Sequence, residues 1–190
     1  MGHRFNPANV DRLLSAERMK LLPPDETLHL LDVRETDDIA DVGCGPGYFS
    51  LPLAARTKGT VYSVDLSSVM LSYVQKRAAE AGSQNVITVE SPAEDIALLD
   101  HAVDRVLCSF VLHEVDDLTK SLSEFKRILK PSGKMLLIEW EKKESEFGPP
   151  LHHRLSSETL GAVLTELGIP HHLHHLNSVH YGFLVDLSSG

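Results

Sequence analysis

The stretch DIADVGCGPGYFS, from Asp38 to Ser50, places three glycines on alternate positions directly after a short apolar run. Gly43, Gly45 and Gly47 leave bare backbone where a predicted strand turns into a helix, which lets a ligand approach the main chain. The spacing departs from the dinucleotide fingerprint G-x-G-x-x-G, because Tyr48 stands where the third glycine belongs. No Gly-Lys-Ser/Thr follows, so the loop is not a Walker A motif. The stretch predicts a ligand-binding loop; the alternative is a purely structural turn.

A second signal follows in VYSVDLS, where Asp65 ends a predicted strand about twenty residues past the glycine loop. In parallel sheets, an acidic side chain at this place accepts hydrogen bonds from the ribose hydroxyls of an adenosine cofactor. A lone Asp at a strand end is otherwise a helix cap or a turn former. Together, the two signals favour a ribose ligand.

The composition limits the classes of protein. With 190 residues the chain has room for one well-packed core, and its net charge of −9 opposes binding to a nucleic acid backbone. The N-terminus lacks the continuous apolar segment of a signal peptide, and no window resembles a membrane span, so we expect a cytoplasmic protein. Two cysteines, Cys44 and Cys108, are too few for a disulfide framework or a four-cysteine zinc site and predict buried thiols.

Strand and helix patterns alternate from Asp38 onward, which predicts a mostly parallel α/β sheet. The N-terminal stretch 9–31 reads as helical with one break at Pro23-Pro24, and KPSG at 130–133 reads as a turn. EKKESEFGPP, at 141–150, reads as a flexible lid or linker. Predicted strands lie in DIADV, TVYSV, NVITVE, DRVLCS and KMLLIEW; predicted helices lie near 49–57, 67–81, 118–129 and 156–167; a final antiparallel pair covers IPHHLHHL and VHYGFLVDL.

From Asp38 to Trp140, the chain resembles the class I S-adenosylmethionine-dependent methyltransferases. The landmarks, in order, are DVGCGPG, VDLSSVML, SPAEDI, DRVLCSFVLHEV and LKPSGKMLLIEW. The pattern is most similar to the type 11 branch, which includes the ubiquinone and menaquinone C-methyltransferases. The resemblance implies a doubly wound, seven-stranded, mostly parallel sheet with an antiparallel C-terminal edge strand. It also implies a single domain over 1–190, divided into a helical cover (1–37), a cofactor-binding core (38–140) and a substrate-side region (141–190).

The resemblance also implies a role for each matching residue. The three glycines cradle the methionine moiety and ribose, Asp41 holds the cofactor's ammonium, directly or through water, and Asp65 binds the ribose. One departure is Pro92, where the family often has an Asp; Glu94, Ser91 or backbone then remains for the adenine amine. The implied cofactor-binding residues are Asp41, Gly43, Gly45, Gly47, Asp65, Leu66, Met70, Ala93, Glu94, Ser109 and Phe110.

Methyl transfer from this cofactor needs alignment of a nucleophile and, for an acidic acceptor, a base. His113, directly after the fourth strand, is the candidate general base because its reference pKa is near neutral; alternatively, His113 and Glu114 only cap or pair at the cleft rim. Glu139 and Trp140 are candidates for the acceptor border, and Trp140 equally for the core. Arg154 reads as an anion ligand or a surface ion pair.

The segment HHLHH at 171–175 places His172 and His174 on one face of a strand, but no carboxylate or third histidine completes a metal site, so we predict a solvated edge strand and no metal.

The acceptor is expected to be a small molecule; the segments 1–37 and 141–155 carry no motif that selects an oxygen, nitrogen, carbon or sulfur nucleophile. A homo-oligomer is left open. Two alternative functions are a non-catalytic cofactor-binding partner or sensor and a nicotinamide-dependent oxidoreductase with a degenerate loop.

Overall fold

A computed structural model describes residues 10–189, in which strands and helices alternate. Within those residues the strands are β1 (Ile39–Val42), β2 (Val61–Asp65), β3 (Val86–Glu90), β4 (Val103–Ser109), β5 (Leu129–Trp140), β6 (His171–His175) and β7 (His180–Asp186). The helices are α1 (Val10–Leu13), α2 (Ala16–Leu21), α3 (Pro24–His29), α4 (Ser50–Ala54), α5 (Ser68–Ala81), α6 (Leu118–Ile128) and α7 (Ser157–Glu166), with 3-10 turns at Leu151–His153 and Leu187–Ser189.

The described strands form one sheet of seven in the order β3-β2-β1-β4-β5-β7-β6. Strands β1 to β5 pair in parallel, and β7 runs antiparallel to both β5 and β6. This confirms the predicted doubly wound, mostly parallel sheet with an antiparallel C-terminal edge. Because the carboxyl ends of β1, β2, β4 and β5 lie at one edge of the sheet, the residues that follow them meet there.

Apolar side chains cover both faces of the sheet, as the nearly continuous apolar strands predict. On β5, Leu136 and Ile138 pack on one face with Leu53 of α4, whereas Leu137 packs on the other with Phe125 of α6. This alternation follows from the two-residue period of a strand. Both cysteines, Cys44 and Cys108, are buried free thiols, as expected.

The N-terminal helical stretch differs from its prediction by one additional break. The chain interrupts the helix at Ser15 as well as at Pro23, because the Ser15 hydroxyl caps α2 by accepting a hydrogen bond from the backbone N–H of Arg18 at 3.3 Å. Residue 9, where the prediction began, lies outside the described residues.

The turn predicted at KPSG is wrong, because these residues lie inside β5. The pairing of β4 with β5 shifts between Val103, opposite Leu129, and Arg105, opposite Lys134, so that the one residue between them on β4 lies opposite four on β5, 130–133. A bulge-like irregularity in β5 absorbs the three additional residues. Gly133 fits there because a Cβ atom would lie 2.5 Å from Leu129 Cδ1.

Candidate cofactor and acceptor site

A cavity of about 1520 Å³ opens at the carboxyl edge of the sheet. Side chains of α1 and α2 border one side of it, and residues 147–150 border another. Of the predicted site residues, Asp41 and Gly47 do not border the cavity. Those that do are Gly43, Gly45, Asp65, Leu66, Met70, Ala93, Glu94, Ser109, Phe110 and His113.

The glycine loop is fixed to β2 by backbone hydrogen bonds. The N–H groups of Gly43 and Cys44 both donate to the carbonyl of Val64, at 2.8 and 3.0 Å. Gly43 has a φ of 68°, and a Cβ atom there would lie 2.0 Å from Val111 Cγ2. Both the conformation and the close approach of Val111 therefore require glycine.

Asp65 ends β2 with both carboxylate oxygens oriented by backbone donors. Oδ2 accepts from the N–H of Gly45 at 2.9 Å, and Oδ1 accepts from the N–H of Ser67 at 2.8 Å. Burial raises the pKa of this carboxyl, and the backbone donors oppose that shift. Since each carboxylate oxygen has two lone pairs, acceptor capacity remains for two ligand hydroxyls.

Glu94 and Ser91, on either side of Pro92, each accept a hydrogen bond from a backbone N–H group. Glu94 Oε1 accepts from the N–H of Asp116 at 2.9 Å, and Ser91 Oγ accepts from the N–H of Ala97 at 3.3 Å. Both residues border the cavity. Their assignment to the adenine amine stays a prediction.

Asp41, at the centre of β1, is a buried carboxylate with spare acceptor capacity. Its Oδ2 accepts from the Ser50 hydroxyl at 2.6 Å, and its Oδ1 finds no hydrogen-bond partner among the described residues. Burial, with a contribution from Asp65, raises its pKa to about 7 against the opposing effects of Ser50 and Arg18. A buried acceptor without a partner is costly, so this atom suits a cationic donor.

Arg18 is a residue of the site that the sequence analysis missed. Its guanidinium carbon lies 4.7 Å from the ring centroid of Tyr48 and 4.9 Å from that of Phe110. Its Nε atom is buried and finds no partner within residues 10–189. Burial lowers its pKa to about 10, so it keeps its positive charge at neutral pH. No local motif marks this arginine, because only the packing of α2 over the sheet brings it to the cavity.

His113 is paired with Glu139 in a buried dyad. The imidazole Nδ1 lies 2.8 Å from Glu139 Oε2 and 3.1 Å from Oε1. Glu139 is 0% exposed and also accepts from the N–H of Trp140 at 3.2 Å. Burial acts to lower the pKa of His113, but Glu139, together with Glu114 at 3.6 Å from Nε2, raises it above its ordinary value.

An aromatic wall, formed by Phe110, Trp140 and His180, lines the cavity next to β5 and β7. The ring centroids of Trp140 and His180 are 4.1 Å apart, and Phe110 lies 5.5 and 5.1 Å from them. Phe110 has a φ of 61°, a strained conformation for a bulky residue that is typical of functional sites. Trp140 lines the cavity and does not belong to the buried core. Its predicted contact with the acceptor stays a prediction.

Arg154 is buried rather than part of a surface ion pair, and its N–H groups donate to acceptors of the chain itself rather than being left for an anionic acceptor. It is buried and donates to the carbonyls of Lys143, Phe147 and Pro149 at 2.7 to 2.9 Å, and to the Ser145 hydroxyl at 2.8 Å. The segment 141–150, which we call the roof, is thus held in place by one side chain.

The histidine-rich segment forms the edge strand β6, as predicted, and His171 Nδ1 contacts the carbonyl of Ile169 at 2.8 Å. In the part of the chain that the structure describes, no group of three His, Cys, Asp or Glu residues is arranged to hold a metal ion. Within residues 10–189, no helix is both long and apolar enough to cross a bilayer.

Residues 40–137 match the family model described as "Methyltransferase domain", which covers just over half of the chain. A demethylmenaquinone methyltransferase of Bacillus velezensis is 30% identical over 63% of this chain and 52% of its own length. The ubiquinone/menaquinone biosynthesis C-methyltransferase UbiE of Acidiphilium cryptum is 30% identical over 73% of this chain and 56% of its own. The crystal structure of a SAM dependent methyltransferase from Aquifex aeolicus superposes with a TM-score of 0.91, at 28% identity, over 97% of this chain and 100% of that one.

The chain therefore belongs to this family, as a class I S-adenosylmethionine-dependent methyltransferase of the type 11 branch. Its cofactor is S-adenosylmethionine, which speaks against the nicotinamide-dependent oxidoreductase, and membership of a methyltransferase family favours catalysis over a non-catalytic cofactor-binding partner. The chain spans about half the length of the curated relatives it matches. The site fits this cofactor, since the buried donor of Arg18 complements the carboxylate of a methionine moiety, and the free Oδ1 of Asp41, which does not border the cavity itself, complements its ammonium through a bridging water.

Proposed function

We propose that this chain methylates a small planar acceptor of the quinol class, with His113 as the general base. The observation that carries the proposal is the buried His113–Glu139 dyad beside the cavity. Support for a planar acceptor comes from the aromatic wall, since a flat ring packs well against tilted and edge-on aromatic side chains. The names of the curated relatives, a demethylmenaquinone and a ubiquinone/menaquinone C-methyltransferase, add support for a quinol ring.

The cofactor is held, in this proposal, by two groups of residues. Arg18 binds the carboxylate of the methionine moiety and Asp41 its ammonium, because these side chains offer a buried donor and a buried acceptor of matching charge. Asp65 binds the ribose hydroxyls. The other residues that the family resemblance assigns to the cofactor belong to the same proposal. They are Gly43, Gly45, Gly47, Leu66, Met70, Ala93, Glu94, Ser109 and Phe110.

The dyad fixes the direction of proton transfer. Glu139 is a hydrogen-bond acceptor, so the imidazole presents its proton at Nδ1 and leaves the lone pair of Nε2 for a substrate proton. Glu139 then stabilises the imidazolium that forms. The bound cofactor supplies an activated methyl group on its sulfonium. Deprotonating a ring hydroxyl raises the electron density at the neighbouring carbon, which is the atom that a C-methyltransferase modifies. The new C–C bond forms as the S–CH3 bond breaks, and the hydrogen of that ring carbon then leaves as a proton, which restores the aromatic ring.

The chain also orders the surroundings of this step. Residues 147–150 of the roof, held by Arg154, and the helices α1 and α2 border the cavity on two sides, which limits the access of water to the reacting atoms. A net charge of −9 supports a small molecule over a nucleic acid as acceptor. A cytoplasmic location and a single domain over 1–190 with its three parts stay predictions.

The test is a methyl-transfer assay with S-adenosylmethionine and 1,4-dihydroxynaphthalene as the quinol probe. We expect a C-methylated product by mass spectrometry, with catechol and simple amines as poor acceptors. If S-adenosylhomocysteine binds but no acceptor in the panel is methylated, the non-catalytic partner is the better explanation. If an amine is the best acceptor, the quinol assignment is wrong.

A further inference from the structure

His180, the first residue of β7, has a buried ring nitrogen without a hydrogen-bond partner among the described residues. Its side chain lies opposite Trp140 of β5 and borders the cavity. The residue is only 4% exposed, and Nε2 finds no hydrogen-bond partner among the described residues. Since the large majority of buried polar side-chain atoms are paired, an unpaired one calls for a physical reason.

The neighbour Asn177 determines which nitrogen of His180 carries the proton. Asn177 Oδ1 accepts from the backbone N–H groups of Val179 and His180, at 3.0 and 2.9 Å, which fixes the orientation of the amide. Its Nδ2 therefore donates, to the carbonyl of Leu21 at 2.6 Å and to His180 Nδ1 at 3.0 Å. Nδ1 is then an acceptor, so a neutral ring has its proton at Nε2.

The surroundings keep the imidazole neutral. Burial, followed by the positive charges of Arg18 and Arg154, lowers the pKa of His180 to about 3. The ring also packs against two apolar rings, with centroids 4.1 Å from Trp140 and 5.1 Å from Phe110. At physiological pH, Nε2 is therefore a neutral N–H donor set in an aromatic wall.

The position of His180 in the sheet separates it from the predicted ribose site. Asp65 ends β2, and three strands, β1, β4 and β5, lie between β2 and β7. The donor thus belongs to the half of the cavity beside β5 and β7, which the cofactor's nucleoside does not need. That half is the place for the methyl acceptor.

We propose that His180 Nε2–H donates a hydrogen bond to an oxygen of the methyl acceptor, whose planar ring packs against Phe110 and Trp140. This inference rests on the proposed function for the presence of an acceptor. It assigns to this residue the selection of oxygen-bearing rings over plain hydrocarbon rings. Because Nε2 is shielded, a neighbouring side chain has to rotate when the acceptor enters.

The test compares two flat ligands that differ in a single acceptor oxygen, 1-indanone and indane. Both are titrated into the full chain saturated with S-adenosylhomocysteine, and binding is followed by the fluorescence of Trp140, the single tryptophan of the chain. We expect the native protein to prefer 1-indanone about 10-fold, equivalent to roughly 1.4 kcal/mol. His180→Phe keeps an aromatic ring and should abolish the preference, whereas His180→Gln keeps an N–H donor and should restore part of it.

Three outcomes would overturn the proposal. The native protein could bind 1-indanone and indane equally well, or His180→Phe could prefer 1-indanone as strongly as the native protein does. In the third outcome, His180→Phe keeps the preference for 1-indanone but binds S-adenosylhomocysteine more weakly. The last outcome would assign the donor to the cofactor's carboxylate. Far-UV circular dichroism shows that each variant is folded. Because the readout is equilibrium binding, a failure to methylate 1,4-dihydroxynaphthalene is a separate result that leaves this one standing.

Discussion

The two halves of the cavity offer a ligand opposite kinds of hydrogen-bonding group. In the cofactor half, at the ends of β1 and β2, Asp65 accepts from the N–H groups of Gly45 and Ser67 before any ligand is considered. In the acceptor half, beside β5 and β7, aromatic rings predominate and His180 Nε2 is unpaired. The first half thus offers a ligand spare acceptors, on Asp65 and Asp41, whereas the second offers it a spare donor. We expect mutations in the two halves to affect different equilibria.

The largest effect is expected at the dyad between these halves. Replacing His113 by Ala removes the proposed base and should lower kcat by about 10²- to 10⁴-fold, while affinity for S-adenosylhomocysteine stays unchanged. His172→Ala, in the exposed edge strand, is the matched control. A His113→Ala enzyme with native kcat would show that this histidine only caps the rim of the cleft.

The same dyad predicts a pH dependence. The base is active when deprotonated, and Glu139 raises the pKa of His113, so kcat should rise with pH through a value above the reference 6.5. Glu139→Gln removes the carboxylate but leaves the burial, which lowers the pKa. The rising limb of the kcat profile should therefore move to lower pH, and kcat should fall. A limb that does not move would exclude Glu139 as the positioning residue.

A smaller effect is expected in the cofactor half. Asp65→Ala should weaken the binding of S-adenosylhomocysteine at least ~10-fold, because about 1.4 kcal/mol is typical of a charge-assisted hydrogen bond. Glu90→Ala removes an exposed carboxylate from the end of the neighbouring strand β3 and serves as the control in the same calorimetric titration. Equal affinities for the two variants would refute the ribose assignment.

The smallest expected signal is the release of a fraction of a proton from Asp41 when the ligand binds. Because its pKa is raised to about 7, this carboxyl is partly protonated at neutral pH. An ammonium ligand favours the ionised form, so S-adenosylhomocysteine should release a fraction of a proton on binding. Titrations in buffers of different ionisation enthalpy measure this release. An apparent enthalpy that is the same in all buffers, as expected for Asp41→Asn, would contradict the ammonium contact.

The two halves also differ in how far the sequence predicts them. The cofactor half is built from residues close together in the chain, so DVGCGPG and Asp65 indicated it directly. The acceptor half combines Phe110, Trp140 and His180, which lie on three distant segments and meet only in the folded sheet. Arg18 is the exception in the cofactor half, because only the packing of α2 over the sheet brings it to the cavity. Arg154 was misread for the same reason, since its acceptors are the carbonyls of a folded loop. The KPSG turn failed because a β-bulge uses the same residue types.

The central claim, that the glycine loop and Asp65 bind an S-adenosyl cofactor, is tested most directly by calorimetric titration of the purified chain with S-adenosylhomocysteine, with NAD as the control. We predict micromolar binding of S-adenosylhomocysteine and no heat with NAD. A folded protein that binds neither ligand, or that binds NAD instead, would contradict the assignment of the loop and of the cavity beside it.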